Sequence, residues 1–206
     1  MPRAPRVDNR REQLLAAAAK VIQERGFADT RISDVAREAG ISPALVVYYF
    51  DTRERLMVEA LRYSEECFAT AVAERLEELR TARERLRELI QLTCTDRPTP
   101  DMPSGWGLWF DLWAQAARHP DAARYRADFD ERWRGRVADT VRQGVAEGDF
   151  VAADPDRFAQ LLTALLDGLA VQVALADETV TPELACELAE ELCDVMLRSR
   201  EPLARS

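Results

Sequence analysis

The chain has 206 residues, 47% of them hydrophobic, four cysteines, one histidine and a formal net charge of −9. That length suffices for one core or two small ones. It contains no run of about eighteen apolar residues, and the opening Met-Pro-Arg-Ala-Pro-Arg lacks the apolar stretch of a secretory signal, so no membrane span and a soluble, cytoplasmic protein are expected.

The acidic total divides unevenly. Residues 1–60 hold ten Arg/Lys and nine Asp/Glu, which leaves +1, and the remaining residues carry −10. An acidic bulk repels nucleic acid, but attraction to phosphates depends on local charge, so a near-neutral head with Arg3, Arg6, Arg10 and Arg11 at its start can approach DNA. The cysteines Cys67, Cys94, Cys186 and Cys193 form no Cys-x-x-Cys pair, and only His119 could join them as a nitrogen ligand. Scattered core thiols are expected, with no metal and no cofactor. Cys186 and Cys193, on one helical face, leave a redox pair open. With no glycine-rich phosphate loop and no Gly-x-Ser-x-Gly elbow, an enzyme is not expected.

In chain order, residues 1–8 read as a basic, proline-containing arm, either free in solvent or touching phosphates through Arg3 and Arg6. Leu14, Ala18, Val21 and Ile22 recur at helical spacing, so a helix is predicted from about Asn9 to Arg25, closed by Gly26 with Phe27 packed beneath. Thr30 is the expected N-cap of a short helix with Ile32, Val35, Ala36 and Ala39 on its apolar face. Gly40 permits the positive φ of a sharp exit, and Ser42-Pro43 restarts a helix as hydroxyl cap and first-turn proline. Helix, glycine turn and second helix form the helix-turn-helix plan, whose second helix enters the major groove. A structural αα-hairpin has the same outline.

The second helix opens with Pro43, Ala44 and Leu45, none of which can donate or accept a side-chain hydrogen bond. Base reading there must rest on apolar contact, on main-chain groups and on the neighbours Ser33 and Ser42. Tyr48 and Tyr49 can offer hydroxyls to phosphates, and Arg53 a guanidinium; Tyr49 and Phe50 can equally be core.

From Thr52 a long helix is predicted through Leu56, Ala60, Tyr63, Cys67 and Val72, with a break near Thr81, then a second amphipathic segment over Ala82–Cys94. A proline-dense connection, Asp96–Pro103, follows. In Trp106-Gly107-Leu108-Trp109-Phe110-Asp111-Leu112-Trp113, the residues Trp106, Trp109, Phe110 and Trp113 share a face and Asp111 points away. Such a face either lines a ligand cavity suited to apolar or cationic molecules, or packs as core. After His119-Pro120 a long helix carries Tyr125, Phe129 and Trp133 and ends near Gly148. Phe158–Ala176 is apolar almost all round, and Leu184, Leu188, Leu192 and Val195 stripe a last helix that starts at Thr181-Pro182.

The fold class expected is therefore all-α, about nine helices, with a helix-turn-helix domain over 1–52 and a helical domain over 53–206, in which the aromatic face and the last two helices are the candidate ligand and dimer elements. Leu162, Leu166, Leu169, Leu184, Leu188, Leu192 and Val195 are the candidate dimer contacts, as a four-helix bundle between subunits. Tyr63, Trp106, Trp109, Phe110, Trp113, Phe129, Trp133, Asp167 and Gln172 are the candidate ligand residues. Asp167 interrupts an apolar helix, where a carboxylate needs a cationic partner or a pocket.

The stretch Arg11–Leu56 resembles the DNA-binding domain of the TetR family of transcriptional regulators. The resemblance lies in the Ala17–Phe27 run, Thr30, Val35-Ala36, Ala39-Gly40-Ile41-Ser42, Tyr48-Tyr49-Phe50, Arg53 and Leu56. Pro43, Ala44 and Val46-Val47 depart from the family pattern, and the missing tyrosine at Val47 removes one expected phosphate contact. From Trp109 to Val195 the chain resembles the BetI-type subgroup, through Leu112-Trp113, Pro120, Trp133, Glu147-Gly148-Asp149-Phe150 and Leu165-Leu166-Asp167-Gly168-Leu169. The resemblance implies a homodimeric repressor on a palindromic double-stranded operator, released by a small-molecule effector; the tryptophans and Asp167 lean towards an organic cation. The rival is a helical interaction or scaffold protein that dimerises through its last two helices and never touches DNA.

Overall fold

The computed structural model describes residues 5–95, 106–151 and 154–197. Among them the regular elements are nine helices: α1 (Pro5–Asp29), α2 (Ile32–Glu38), α3 (Pro43–Phe50), α4 (Arg53–Glu77), α5 (Ala82–Cys94), α6 (Trp106–Ala116), α7 (Pro120–Glu147), α8 (Pro155–Ala174) and α9 (Pro182–Met196). The all-α expectation holds, and none of these helices is long and apolar enough to cross a membrane. The chain falls into two compact units, Met1–Ala71 with Pro98–Arg126 and Val72–Arg97 with Ala127–Ser206. The expected reader, residues 1–52, lies wholly in the first; residues 53–206 are divided between the two. The proline-dense connection and Arg3 lie outside the described residues.

In the first unit, α1 sends Leu14, Leu15, Ala18, Val21 and Ile22 to one side, all buried. They meet Val35 and Ala36 of α2, Val46 and Phe50 of α3, and Leu56, Met57 and Ala60 of α4. Burying a side chain such as Phe50 contributes about 1.5–3 kcal/mol relative to leaving it exposed. Leu112 of α6 and Tyr125 of α7 close this core.

The starts and stops are local chemistry, with three differences from expectation. Helix α1 is already helical at Pro5, so the expected arm is shorter. Gly26 (φ 80, ψ 162) breaks α1 where predicted, but one more turn follows to Asp29. That backbone region is open to glycine almost alone, because a Cβ would clash. Thirdly, Arg31 rather than Thr30 is the N-cap of α2. The fully buried Thr30 instead turns its hydroxyl back on α1, donating to the Gly26 carbonyl at 2.8 Å. Gly40 takes φ 64 as expected, and Ser42 caps α3 by accepting from the Leu45 N–H at 3.3 Å.

In the second unit, Thr81 and Glu84 form a reciprocal capping box that starts α5 at the predicted residue. Helices α5, α8 and α9 pack on one another. Leu86, Leu89 and Ile90 of α5, Phe158, Leu162, Leu166 and Leu169 of α8, and Ala185, Ala189 and Cys193 of α9 are buried. Leu162, Leu166 and Leu169 are thus core residues of the single chain, which corrects their assignment to a subunit surface. Asp154 and Thr181 cap α8 and α9, each with proline in the first turn.

Candidate nucleic-acid interface and effector surface

Helix α3 presents one uncovered face. Pro43, Ala44 and Val47 are exposed, and Tyr48 is 81% exposed, while Val46 and Phe50 point into the core. Spacing of i, i+1, i+4 and i+5 puts the first four on one side of a helix. Ser33 on α2 is exposed as well. Tyr48 and Tyr49 meet edge to face at 5.6 Å, and Tyr49, half-buried, packs on the core. Val47 was legible only as a departure from pattern; its place one turn after Pro43 is the signal that it shares the uncovered face.

Three residues expected near DNA have other duties. The hydroxyl oxygen of Ser42 accepts the capping bond that starts α3. Arg53 donates to the carbonyl oxygens of Thr30 (2.9 Å), Ala28 (3.2 Å) and Phe27, with its guanidinium over the Phe27 ring. It clamps the end of α1 and the start of α2 to α4, a role that spacing could not reveal. Arg11, expected in the basic tail, pairs with Glu59, which also holds Arg55 at 3.0 Å. The side chain of Arg6 lies outside the described residues.

Helix α2 carries a buried acid. Asp34 accepts from the Arg31 N–H at 3.2 Å and pairs with Arg25 (3.3 Å) and Arg37 (3.0 Å). Burial opposes its ionisation, but the Arg31 bond and the two guanidiniums outweigh it and hold the carboxyl below the usual range.

The aromatic run on α6 also belongs to the first unit. Trp106, Phe110 and Trp113 form a triangle of rings, with centroids 6.0–6.3 Å apart. The Arg126 guanidinium of α7 lies over the Trp113 ring, 5.5 Å from its centroid. Trp109 packs against the core beside Leu112. The Trp113 ring N–H and the Tyr125 hydroxyl are buried without a hydrogen-bond partner. Tyr63 lies elsewhere, in a cleft of about 320 Å³ whose other walls include Arg11, Glu12, Glu59, Arg62 and Glu66. Burial, and then a bond with Cys67, push the pKa of the Tyr63 hydroxyl above its ordinary value and keep it neutral.

The opposite side of α6 carries a residue that sequence reasoning passed over. Asp111 accepts a hydrogen bond from the Phe27 N–H at 2.7 Å, just past the Gly26 break. A lone carboxylate in an otherwise apolar run was the available signal.

The remaining candidates lie in the second unit. Phe129 and Trp133 stack at 6.4 Å. Asp167 is half-buried on α8, and Gln172 is exposed and donates to the Gly168 carbonyl of its own helix at 3.1 Å. Of the apolar stripe on α9, Leu188 (37%) and Val195 (67%) are exposed, as are Leu161 (43%) on α8 and Leu175 (70%) at its C-cap. Leu184 and Leu192 are half-buried.

Comparison with known proteins places this architecture. The pattern that defines bacterial regulatory proteins of the tetR family matches residues 14–60, and the pattern of the BetI-type transcriptional repressor C-terminal domain matches residues 82–198. The HTH-type transcriptional regulator BetI of Rhizobium meliloti (strain 1021) is 27% identical over 199 residues, spanning 97% of this chain and 95% of that one. Its namesake in Ectopseudomonas mendocina (strain ymp) is 28% identical over 202 residues, spanning 96% and 98%. Among solved structures, a transcriptional regulator from Saccharomonospora viridis in complex with choline superposes with a TM-score of 0.79 at 29% identity, covering 92% of this chain and 98% of that one. A TetR transcription regulator from Haloarcula marismortui gives a TM-score of 0.80 at 26% identity, covering 93% and 100%. With a helix-turn-helix whose second helix is uncovered, joined to a helical domain that matches the repressor pattern over more than half its length, the chain belongs to the BetI-type transcriptional repressors of the tetR family.

Proposed function

We propose that this repressor works in the cytoplasm as a homodimer on a palindromic operator, and that a quaternary-ammonium effector of the choline class releases it. The observation that carries the effector class is the ring triangle of Trp106, Phe110 and Trp113 with the cation of Arg126 on the Trp113 face. A ring face that holds the chain's own guanidinium has the electrostatics to hold an ammonium, at about 0.5–2 kcal/mol per contact. The unpartnered Trp113 N–H and Tyr125 hydroxyl would suit an effector that also carries an oxygen acceptor. The choline complex of the Saccharomonospora viridis regulator supports the same class.

Ser33, Pro43, Ala44, Val47 and Tyr48 are the proposed DNA face, with apolar contacts to thymine methyls from Pro43, Ala44 and Val47 and a phosphate contact from Tyr48. Ser42, Tyr49 and Arg53 hold that face in place. Leu161, Leu188 and Val195 are the proposed dimer contacts, because they are the large apolar side chains that α8 and α9 leave uncovered together with Leu175. An effector that prefers the non-DNA conformation by about 1–3 kcal/mol weakens operator binding 5–150-fold.

The test is calorimetric titration of the full chain with choline and with its neutral carbon isostere, followed by fluorescence anisotropy on duplex from the flanks of its own gene. Tighter binding of choline, loss of it in Trp113→Ala, and release from duplex support the reading. Equal affinity for the isostere, or unchanged choline binding in Trp113→Ala, rejects the cation. Equal affinity for scrambled duplex rejects the operator.

A further inference from the structure

Arg31 stands apart from the other cations of the helix-turn-helix head. Among the described side chains of residues 10–60, most Arg and Lys cations have a carboxylate beside them. Glu59 holds Arg11 and Arg55, and Asp34 holds Arg25 and Arg37. Lys20 pairs with Glu38 at 2.6 Å and Arg53 with Glu54 at 3.8 Å. Arg10 bonds the Gln13 side chain at 3.2 Å. The Arg31 side chain is exposed and has neither an ion pair nor a hydrogen bond among the described residues.

Its place makes this more telling. Arg31 is the N-cap of α2, with φ −112 and ψ 155, and its side chain makes no capping bond. A cap is ordinarily Ser, Thr, Asp or Asn, whose oxygen accepts from the first free N–H groups of the helix. Arginine has only donors to offer there, and its charge opposes the positive end of the helix dipole. Thr30 cannot take over, because its buried hydroxyl is bonded to the Gly26 carbonyl. The main chain of the cap is nevertheless fixed. The Arg31 N–H donates to the Asp34 carboxylate at 3.2 Å, and the Arg31 carbonyl accepts from the Asp34 N–H at 2.9 Å. A charged side chain therefore leaves a rigid corner of the fold, two residues before the exposed Ser33. A residue that breaks a local rule with no compensating contact inside the chain marks a functional position.

We propose that Arg31 is a phosphate anchor, whose guanidinium binds the DNA backbone while α3 faces the bases. This rests on the reading of α2 and α3 as the DNA face. The first helix of a helix-turn-helix crosses the backbone, and the guanidinium fork matches the oxygens of a phosphate. The contact positions the head and reads no sequence. Each phosphate so neutralised releases counterions and adds about 0.9 to the slope of log affinity against log salt. Cations already compensated inside the head add less, so the slope singles Arg31 out.

The experiment measures duplex affinity of the full chain by fluorescence anisotropy over a series of salt concentrations, on operator and on scrambled duplex, with melting temperatures beside it. Arg31→Ser gives α2 an ordinary cap, so its melting temperature is expected to equal or exceed that of the wild type. Its affinity for both duplexes is expected to fall alike, with a slope shallower by about 0.9 per head. Arg31→Lys keeps the charge and the slope. The double variant Lys20→Gln with Glu38→Gln removes a closed ion pair and keeps the wild-type slope. An unchanged slope in Arg31→Ser overturns the proposal, as does a loss confined to the operator or a loss that follows a lowered melting temperature. The slope is read on scrambled duplex too, so a wild type with no preference for the operator overturns the operator reading alone. Binding to neither duplex overturns both.

Discussion

The carboxylate of Asp111 holds the main-chain N–H of Phe27 at 2.7 Å, and so joins the helix that carries the triangle of aromatic rings to the end of α1. Phe27 is held from its other side too, since its carbonyl accepts from Arg53 at the start of α4. One residue of α1 thus links the aromatic helix to the scaffold that presents α3. Asp111→Ala leaves a part-buried N–H without its partner and should cost about 1–3 kcal/mol of stability. Asp111→Asn keeps an acceptor and should cost less. If this bond carries the effector signal, Asp111→Ala binds effector with unchanged affinity but no longer leaves the operator on binding it. Thermal denaturation and paired titrations with and without duplex read both effects; full release in Asp111→Ala would remove it from the signal route.

Tyr48 is the most exposed large side chain of α3, so its substitution should separate function from folding. Tyr48→Phe should weaken duplex binding by about 0.5–1.5 kcal/mol, the net worth of one hydrogen bond, and by a similar amount for operator and scrambled duplex. Its melting temperature should match that of the wild type. A selective loss on the operator alone would make Tyr48 a base reader instead.

Gly26 sits at φ 80 and ψ 162, where a side chain is strained whatever room surrounds it. Gly26→Ala is expected to cost about 1–3 kcal/mol. Because the strain lies next to the Asp111 and Arg53 contacts, the variant should also lose operator affinity at temperatures where it remains folded. Chemical denaturation and anisotropy measure the two quantities separately.

The pH dependence follows from Asp34. Its carboxyl ionises below the usual Asp range in the folded chain, so its contribution is complete above the unfolded value and is lost as pH falls through the lowered folded one. Wild type and Asp34→Asn should therefore differ most at neutral pH, and the gap should close as pH falls below the ordinary carboxylate range. A gap that stayed constant through that window would show that Asp34 is not held charged.

Val195 and Leu188 test the dimer. Glutamate at either place puts charge on a face that, in the proposed assembly, is desolvated. Val195→Glu should shift the sedimentation mass from dimer to monomer and weaken operator binding, while leaving helical content intact. Leu162→Ala should behave otherwise, with a loss of about 2–5 kcal/mol in stability, because Leu162 fills the core of its own chain.

Local chemistry determined much of this protein from its sequence. The turn at Gly40, the caps at Ser42, Thr81 and Thr181, the proline starts of α3, α7, α8 and α9, and the amphipathic stripes all act within a few residues. They could be read in order along the chain, and with them the helix-turn-helix. Only the tertiary structure decided what each stripe packs against. Periodicity says that Leu162 and Val195 lie on apolar faces, but the register between distant helices buries the first and leaves the second in solvent. Tertiary packing likewise turns Arg53 onto carbonyls of α1 and brings Asp111 to Phe27. These pairings join residues far apart in the chain, and nothing in either residue's own neighbourhood names its partner.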